Sequence, residues 1–456
     1  MATAVLIIWL LPKNKPGRKS DTERQFVRKT INIREILVHA ACHWDEIVAI
    51  TLARLYGRET FPGIETAPIK FTEGVERHAD QFFDAAEILP FGVGGGRFDE
   101  HGLEGRNEDE CCATLVAKYL GIDENPGLRD LLAATLRLDT KPNAAMTDIA
   151  EVIKMANRQL RCAPNVVIKW AELGLNAIIR FQAIRYDAVP EEKRLSTLFE
   201  EYVRNKRTDG RIAETIRAWI AKSEASATQS VTDLTFVVKA LQRTGTSRED
   251  VVEWTHFVFN NYTADQALFW EAVELLKNQK VHMVDFLGRK GKQKIRVLMV
   301  ESDNPLCQKA SRMRDIHADV FIRRNSKGQV QVFTSMLVQN LNLANFARMI
   351  RWLELPKDEH GRPKTDISWK ELGAQDTLST VPEWYLFKGM LLNGSHSHPG
   401  VPATRIASKA ILEVAYHAFH PGQTSIWMAM RGIGKEPELA VQALFKDAET
   451  PNPVIK

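Results

Sequence analysis

Cysteine is scarce in this sequence, and the few that occur are scattered along it. Five of the 456 residues are cysteines, and no two of them form a CxxC pair. They are Cys42, Cys111, Cys112, Cys162 and Cys307. Small secreted domains that depend on a disulfide framework contain far more cysteine. We therefore expect reduced thiols and a cytoplasmic protein.

The sequence also lacks an apolar run long enough to span a membrane. Its apolar N-terminal segment, Ala2–Leu11, is about half the length of the roughly 20 residues that a transmembrane helix needs. The segment has no basic region before it and no small-residue cleavage site, so it does not indicate a signal peptide. We expect a packing strand or an extension from an upstream start codon, and no membrane partner.

A large excess of either charge is absent as well. The chain has 61 basic and 57 acidic residues, which gives a formal net charge of +4. This balance neither indicates nor opposes a nucleic-acid partner. No internal repeat or long low-complexity tract is evident, and a hydrophobic content of 44% is sufficient for packed cores. The length predicts two domains with a connecting segment.

Strand and helix patterns alternate in the first part of the chain. The predicted elements are a strand at Glu35–His39, a helix at Asp45–Tyr56, a strand ending in a glycine-rich loop over Ala86–Gly96, and helices at Glu108–Leu120 and Gly127–Leu138. Such alternation is typical of a mainly parallel sheet, and ligands of these sheets bind beyond the carboxyl ends of the strands.

The rest of the chain is first helical and then mixed. Helical spacing continues over Thr147–Lys280, and β character returns afterwards. There we predict a strand at Ile295–Val300, a hairpin of Asp319–Arg323 with Val330–Phe333, and helices at Leu343–Leu353 and from Ala407 on. The prediction is an α/β fold with an extension (1–32), a parallel-sheet domain (33–146), a helical connector (147–285) and a smaller mixed-sheet domain (286–456).

The most distinctive cluster lies where the first strand meets the first helix. His39, His43 and Asp45 follow one another at positions i, i+4 and i+6, and Glu46 comes next. This mixture of nitrogen and oxygen donors suits Mn²⁺ or Mg²⁺ better than it suits thiol-binding metals. The alternative is a capped helix start whose histidines form hydrogen bonds with the backbone.

Two further segments supply ionisable groups. The glycine-rich run Gly92–Gly96 is followed by Asp99, Glu100 and His101, and its glycines would let the backbone approach a metal ion or a phosphate. A flexible turn before a solvated loop is the alternative. Asp139 ends an apolar helix, where the helix dipole disfavours a carboxylate unless a cation is nearby.

Together these segments resemble the motifs of the DHH phosphoesterase superfamily, which includes RecJ-type exonucleases. His39, His43 and Asp45 match its first motif, and Asp139 with Thr140 matches its fourth. The histidine at the middle position is most similar to the MYG-type exonuclease branch. The resemblance implies that His39, His43, Asp45, Glu100 and Asp139 bind metal, and that Asp99 and His101 act in catalysis.

This sequence departs from the family pattern at two positions. Gly92 stands where the second motif has an aspartate, and Glu100 stands where the third motif has a histidine. Glutamate can coordinate Mn²⁺ or Mg²⁺ and can bridge two ions. A site with one metal, or with weak catalysis, is the alternative.

A glycine- and proline-rich loop near the C-terminus resembles the loop of the DHH-associated substrate domain. It contains Gly394, His396 and His398, and Arg405 follows it. A glycine-rich backbone with cationic side chains can bind phosphate oxygens. The resemblance implies that these four residues bind substrate across a cleft. The alternative is a surface loop whose histidines only titrate.

The function that follows is metal-dependent hydrolysis of nucleotide phosphodiesters. The expected substrates are nucleotides or short single-stranded nucleic acids, and a homodimer is left open. Two alternatives are a pyrophosphatase-like hydrolase of small phosphoesters and a catalytically degenerate nucleotide-binding sensor or scaffold.

Overall fold

Two separate β-sheets organise the structure, a computed structural model. It describes residues 30–433 apart from 74–76, 102–106, 108, 142–143, 160–161, 184–191, 289–290, 361–362 and 395–400. One sheet has three parallel strands, and the other has seven strands that are mostly antiparallel. Helices surround both sheets, so the predicted α/β fold class is confirmed.

The first sheet has the strand order β2-β1-β3. Its strands are β1 (Glu35–His39), β2 (Ile69–Thr72) and β3 (Ile88–Pro90). The central strand β1 has the predicted bounds, and its alternate residues Ile36 and Val38 are fully buried. Because both neighbours run parallel to β1, the carboxyl ends of β1 and β3 lie at the same edge of the sheet.

Four helices accompany this sheet. They are α1 (Trp44–Tyr56), α2 (Asp80–Ala86), α3 (Cys112–Leu120) and α4 (Arg129–Thr140). Helix α1 is buried along almost its whole length, as its run of apolar residues predicts. Helix α4 begins and ends two residues later than predicted, so Asp139 belongs to its last turn.

Six further helices pack in the same hydrophobic core as the first sheet. They are α5 (Ile149–Arg158), α6 (Pro164–Ala183), α7 (Leu195–Lys206), α8 (Gly210–Glu224), α9 (Leu234–Arg243) and α10 (Arg248–Lys277). One continuous cluster of buried residues extends from Ile31 to Tyr262. The helical segment and the first sheet therefore share one hydrophobic core and form the first unit of the structure. The second sheet and its helices form the second unit.

The helix pairs α5–α6 and α9–α10 are related by an approximate internal symmetry. Each begins with a Thr-Asp dipeptide, Thr147–Asp148 and Thr232–Asp233. The hydroxyl group of each threonine donates to the aspartate of the other dipeptide, at 2.8 and 3.0 Å. The indole N–H groups of Trp170 and Trp254 likewise each donate to the other's carbonyl oxygen, at 3.1 Å. Only a few positions of the two helix pairs match, so the sequence shows no repeat here.

The second sheet has the order β4-β5-β6-β7-β10-β9-β8. Its strands are β4 (Val281–Gly288), β5 (Gly291–Glu301), β6 (Val320–Arg324), β7 (Val330–Thr334), β8 (Asp376–Leu378), β9 (Val381–Phe387) and β10 (Met390–Asn393). Around it lie α11 (Cys307–Ala310), α12 (Ala344–Glu354), α13 (Ser408–Ala418) and α14 (Pro421–Ala429). The sheet contains the predicted strand β5 and the predicted antiparallel hairpin β6–β7. Strand β5 pairs in parallel with β6.

The sequence predicts reduced cysteines and no membrane-spanning helix. All five cysteines are free thiols. Within the described part of the chain, no helix combines the length and the apolar character that crossing a bilayer requires.

Candidate metal centre

A cavity of about 210 Å³ lies at the carboxyl edge of the first sheet. The residues that line it bring together all three N-terminal motifs: His39, His43, Trp44, Asp45, Glu46, Gly92, Glu100, His101, Thr135, Leu138, Asp139, Ala150, Ile153 and Lys154. The strand β1 ends at His39, and the segment after β3 carries Gly92 and Glu100. The cavity therefore occupies the position where α/β sheets usually bind their ligands.

Three carboxylates converge in this cavity. One oxygen each of Asp45, Glu100 and Asp139 lie within 4.8 Å of one another. Asp45 and Glu100 are buried, and Glu100 Oε2 has no hydrogen-bond partner among the described residues. Oxygen donors at this spacing suit a hard divalent cation such as Mn²⁺ or Mg²⁺.

The electrostatics of the three carboxylates also favour a cation. Burial is the largest cause of a pKa of Asp45 well above its ordinary value, and the charges of Asp139 and Glu46 add to it. Burial likewise raises the pKa of Glu100, and Asp139 contributes again. Ionised carboxylates this close repel each other, and a bound cation would offset the repulsion. The residues present therefore fit a divalent cation.

Glu46 fixes the turn that carries both histidines. Its Oε1 lies 2.8 Å from Nδ1 of His39, and its Oε2 accepts a hydrogen bond from the backbone N–H of His43 at 2.6 Å. Burial of the ring acts to lower the pKa of His39, but the hydrogen bond and the charge of Glu46 raise it overall. When a carboxylate forms a hydrogen bond with one ring nitrogen of a histidine, the other ring nitrogen is left to bind a metal ion. This arrangement is common in metal sites.

The same glutamate explains the glycine at position 92. Gly92 has φ of 65°, in the left-handed region, and a Cβ there would stand 3.1 Å from Oε1 of Glu46. A side chain at Gly92 would therefore be strained and would displace Glu46. The aspartate of the second motif is absent here, and a carboxylate from α1 fills the adjacent space.

Asp99 and His101 form a small network beside the carboxylates. Asp99 accepts hydrogen bonds from the backbone N–H of Gly95 at 2.7 Å and of His101 at 2.9 Å, and its Oδ1 is 3.2 Å from His101 Nδ1. Burial acts to raise the pKa of Asp99, but these hydrogen bonds lower it overall. Asp99 therefore holds the glycine-rich loop and orients the His101 ring, which itself lines the cavity.

Of the four C-terminal candidates, Gly394 and Arg405 are described, and neither lines this cavity. Arg405 donates from Nη2 to the backbone oxygen of Glu354 at 2.7 Å, and its side chain is otherwise largely exposed. Gly394 has φ of 77° and donates its N–H to Glu383 at 3.1 Å. His396 and His398 lie outside the described residues. The predicted approach of these four residues to the metal centre stays a prediction.

Three cavity residues with polar or charged side chains were given no role in the site from the sequence. They are Glu46, Thr135 and Lys154. The signal for Glu46 was its position three residues after His43, at the start of a helix, where a carboxylate often binds backbone N–H groups. Thr135 accepts a hydrogen bond from the indole of Trp44 at 3.1 Å. Neither Thr135 nor Lys154 belongs to a recognisable motif, because each lies inside an ordinary amphipathic helix.

Comparison with known proteins gives only distant similarities. No protein-family model matches the chain, and no curated protein matches it. It is similar to the crystal structure of RecJ in complex with Mg²⁺ from Thermus thermophilus, with 14% identity, a TM-score of 0.29 and coverage of 71% of this chain. The match spans 45% of the RecJ chain. It is also similar to an uncharacterized protein from Helicobacter pylori G27, with 8% identity, a TM-score of 0.20 and coverage of 84% of this chain and 99% of that chain. TM-scores this low do not establish a shared fold.

Proposed function

We propose that this protein is a metal-dependent phosphodiesterase that acts on nucleotides or short single-stranded nucleic acids. The observation that carries the proposal is the convergence of Asp45, Glu100 and Asp139 within 4.8 Å. These residues come from three distant parts of the chain and meet at the ligand-binding edge of a parallel sheet. The match of the sequence to DHH motifs at His39, His43, Asp45 and Asp139 supports the same function.

The chain's own residues divide into metal-holding and proton-holding groups. Asp45, Glu100 and Asp139 would hold one or two divalent ions through carboxylate oxygens, and His39 and His43 would add ring nitrogens. Mn²⁺ or Mg²⁺ bound there would lower the pKa of a water molecule and neutralise charge on the phosphoryl oxygens.

His101 is the candidate general acid. Asp99 fixes its ring through the contacts to the backbone N–H and Nδ1, and a carboxylate partner stabilises the protonated imidazole. A protonated His101 at the cavity can donate to the oxygen of the leaving group. Gly394, His396, His398 and Arg405 would hold the substrate from the C-terminal unit.

A panel of substrates in the presence of Mn²⁺ tests the proposal. We expect mononucleotides to be released from short RNA, short DNA or a cyclic dinucleotide, and the activity to be lost in Asp139→Asn. Asp130→Asn is a matched control, because Asp130 is exposed at the opposite end of the same helix. Release of phosphate from pyrophosphate alone would favour a pyrophosphatase. Nucleotide binding without turnover of any substrate would favour a sensor or scaffold.

A further inference from the structure

One cationic side chain of the helical segment lines the carboxylate cavity. Lys154 lies on α5, and Ala150 and Ile153 of the same helix line the cavity with it. Residues three and four apart occupy one face of a helix, so this face of α5 is directed at the metal centre. The helical segment therefore contributes a charged group to a cavity whose other charged groups come from the motifs.

A hydrogen bond one turn beyond Lys154 ties helix α5 to the turn that carries the histidines. Asn157 donates from Nδ2 to the backbone oxygen of Cys42 at 2.9 Å. Cys42 belongs to the turn between His39 and His43, so α5 is tied directly to the segment that carries both imidazoles. The part of α5 that carries Lys154 is thereby held beside the turn that positions the histidines.

Lys154 has no anionic partner among the described residues, although four carboxylates line the same cavity. Its side chain is half-buried. Three other lysines among the described residues are half-buried. Lys193 lies 2.6 Å from Glu201, and Lys357 donates to the backbone oxygen of Trp352 at 2.7 Å, whereas Lys239 has no anionic partner among the described residues. A partly desolvated ammonium group costs free energy when it is unpaired. Lys154, unlike Lys239, lines a cavity, where a ligand that supplies negative charge can offset this cost.

We propose that Lys154 is a specificity-determining residue that binds the non-bridging oxygens of the substrate's phosphoryl group. This inference rests on the proposed function and assigns the anion-binding role to a residue outside the family motifs. The carboxylates would hold divalent cations in one part of the cavity, and Lys154 would supply positive charge in another part. The apolar residues Ile153 and Leu138 also line the cavity, and a lining of low polarity strengthens the attraction between opposite charges. The cavity therefore selects a phosphate ester over an uncharged ester.

The approximate symmetry of the helical segment provides a matched control. Lys239 stands six residues after Asp233, as Lys154 stands six residues after Asp148. Lys239 lies on α9, is also half-buried and is not among the residues that line the cavity. Replacing either lysine removes the same charge from the same kind of helical position, so only a ligand contact should distinguish the two variants.

Calorimetry with two probes on the full chain tests the inference. Mn²⁺ alone should bind wild type, Lys154→Met and Lys239→Met with affinities that agree within about threefold, because Lys154 does not hold the metal. Inorganic phosphate, titrated in the presence of Mg²⁺, should bind Lys154→Met about tenfold or more weakly, as expected for a lost charged hydrogen bond. Lys154→Arg should keep most of the phosphate affinity, and Lys239→Met should keep all of it. A thermal melt of each variant verifies folding.

Two outcomes would overturn the inference in distinguishable ways. Equal phosphate affinity in wild type and Lys154→Met, or equal losses in Lys154→Met and Lys239→Met, would remove Lys154 from substrate binding and leave the metal centre intact. Failure of the wild-type protein to bind Mn²⁺ would overturn the proposed function and this inference together. If Lys154→Met does not fold, the comparison of Lys154→Arg and Lys154→Gln decides, since only the arginine keeps the charge.

Discussion

Carboxylate oxygens of Asp45 and Asp139 lie within 4.8 Å of each other, although the two residues are far apart in the sequence. Asp45 lies in the first turn of α1, and Asp139 lies in the last turn of α4. The negative end of the α4 dipole disfavours an ionised carboxylate at Asp139, and the neighbouring carboxylate of Asp45 disfavours it further. A divalent cation between them would offset both costs.

The first prediction is that Asp45→Asn and Asp139→Asn each weaken Mn²⁺ binding by more than about 100-fold. The reason is that each variant loses a direct ligand, and even the loss of an outer hydrogen-bond partner typically costs about 10–100-fold in metal affinity. Titration calorimetry measures the affinity, with Asp130→Asn as the control. Wild-type affinity in the two variants would show that the carboxylates do not share an ion.

The second prediction concerns the hydrogen bond between Glu46 and His39. Glu46→Gln should weaken Mn²⁺ binding by about 10–100-fold, because the neutral amide orients the ring less strongly and makes it less basic. It should also lower the pKa of His39, since the hydrogen bond and the charge of Glu46 are what raise it. NMR titration of the His39 ring in the metal-free protein measures that pKa. A raised or unchanged value would contradict the assigned role of Glu46.

The third prediction separates backbone strain from crowding at Gly92. Gly92→Ala and Gly245→Ala both place a side chain on left-handed backbone, with φ of 65° and 85°, and each should cost about 1–2 kcal/mol of the free energy of unfolding. A Cβ at Gly245 meets no described atom within 4 Å, whereas a Cβ at Gly92 meets Glu46. Only Gly92→Ala should therefore also weaken Mn²⁺ binding. Denaturant unfolding and calorimetry give the two quantities, and equal metal affinities would contradict the proposed contact.

The fourth prediction is a pH dependence of stability centred on Asp148. Burial raises the pKa of Asp148 to about 7. The charge of Asp233 also raises this pKa, and the charge of Arg137 lowers it. Below pH 3.8 the carboxyl group is protonated in both the folded and the unfolded chain. Between 3.8 and about 7 only the unfolded chain loses the proton, so the free energy of unfolding falls as the pH rises.

Asp148→Asn should reduce this fall, which is at most about 4 kcal/mol for a shift of about three pKa units. The amide oxygen can still accept the N–H of Ala150, which Asp148 accepts at 3.1 Å at the start of α5. Asp209→Asn is the control, because Asp209 begins α8 in the same way but is exposed. Denaturant unfolding from pH 4 to 8 measures the slopes, and an unchanged slope in Asp148→Asn would exclude this carboxyl group as the source.

The strands and helices of the second unit show where sequence patterns are sufficient and where they fail. The hairpin β6–β7 was predicted because alternating apolar residues flank a turn with a glycine at Gly328. The strands β4, β8, β9 and β10 were not predicted. Strand β9 contains Pro382, which usually argues against a strand, and β4 is an edge strand with exposed apolar side chains such as Met283. Their pairing depends on neighbours that are distant in the chain.

The sequence by itself determined which residue types could form the candidate site. The spacing of His39, His43 and Asp45 at a strand-to-helix junction is a local property, because a few residues of backbone geometry decide it. The apolar periodicity that ends at Asp139 is equally local. These patterns were enough to predict the α/β fold class and to choose donors for a candidate metal centre.

Only the tertiary structure decided how those donors meet and what surrounds them. Burial of α1 and α4 in one core brings Asp139 to Asp45, and no short-range pattern specifies that approach. The space above Gly92 is filled by Glu46 from another element, and the side chain of Lys154 reaches the cavity because α5 packs against the histidine turn. Such contacts depend on long-range packing of side chains, which forms only when the whole hydrophobic core is assembled.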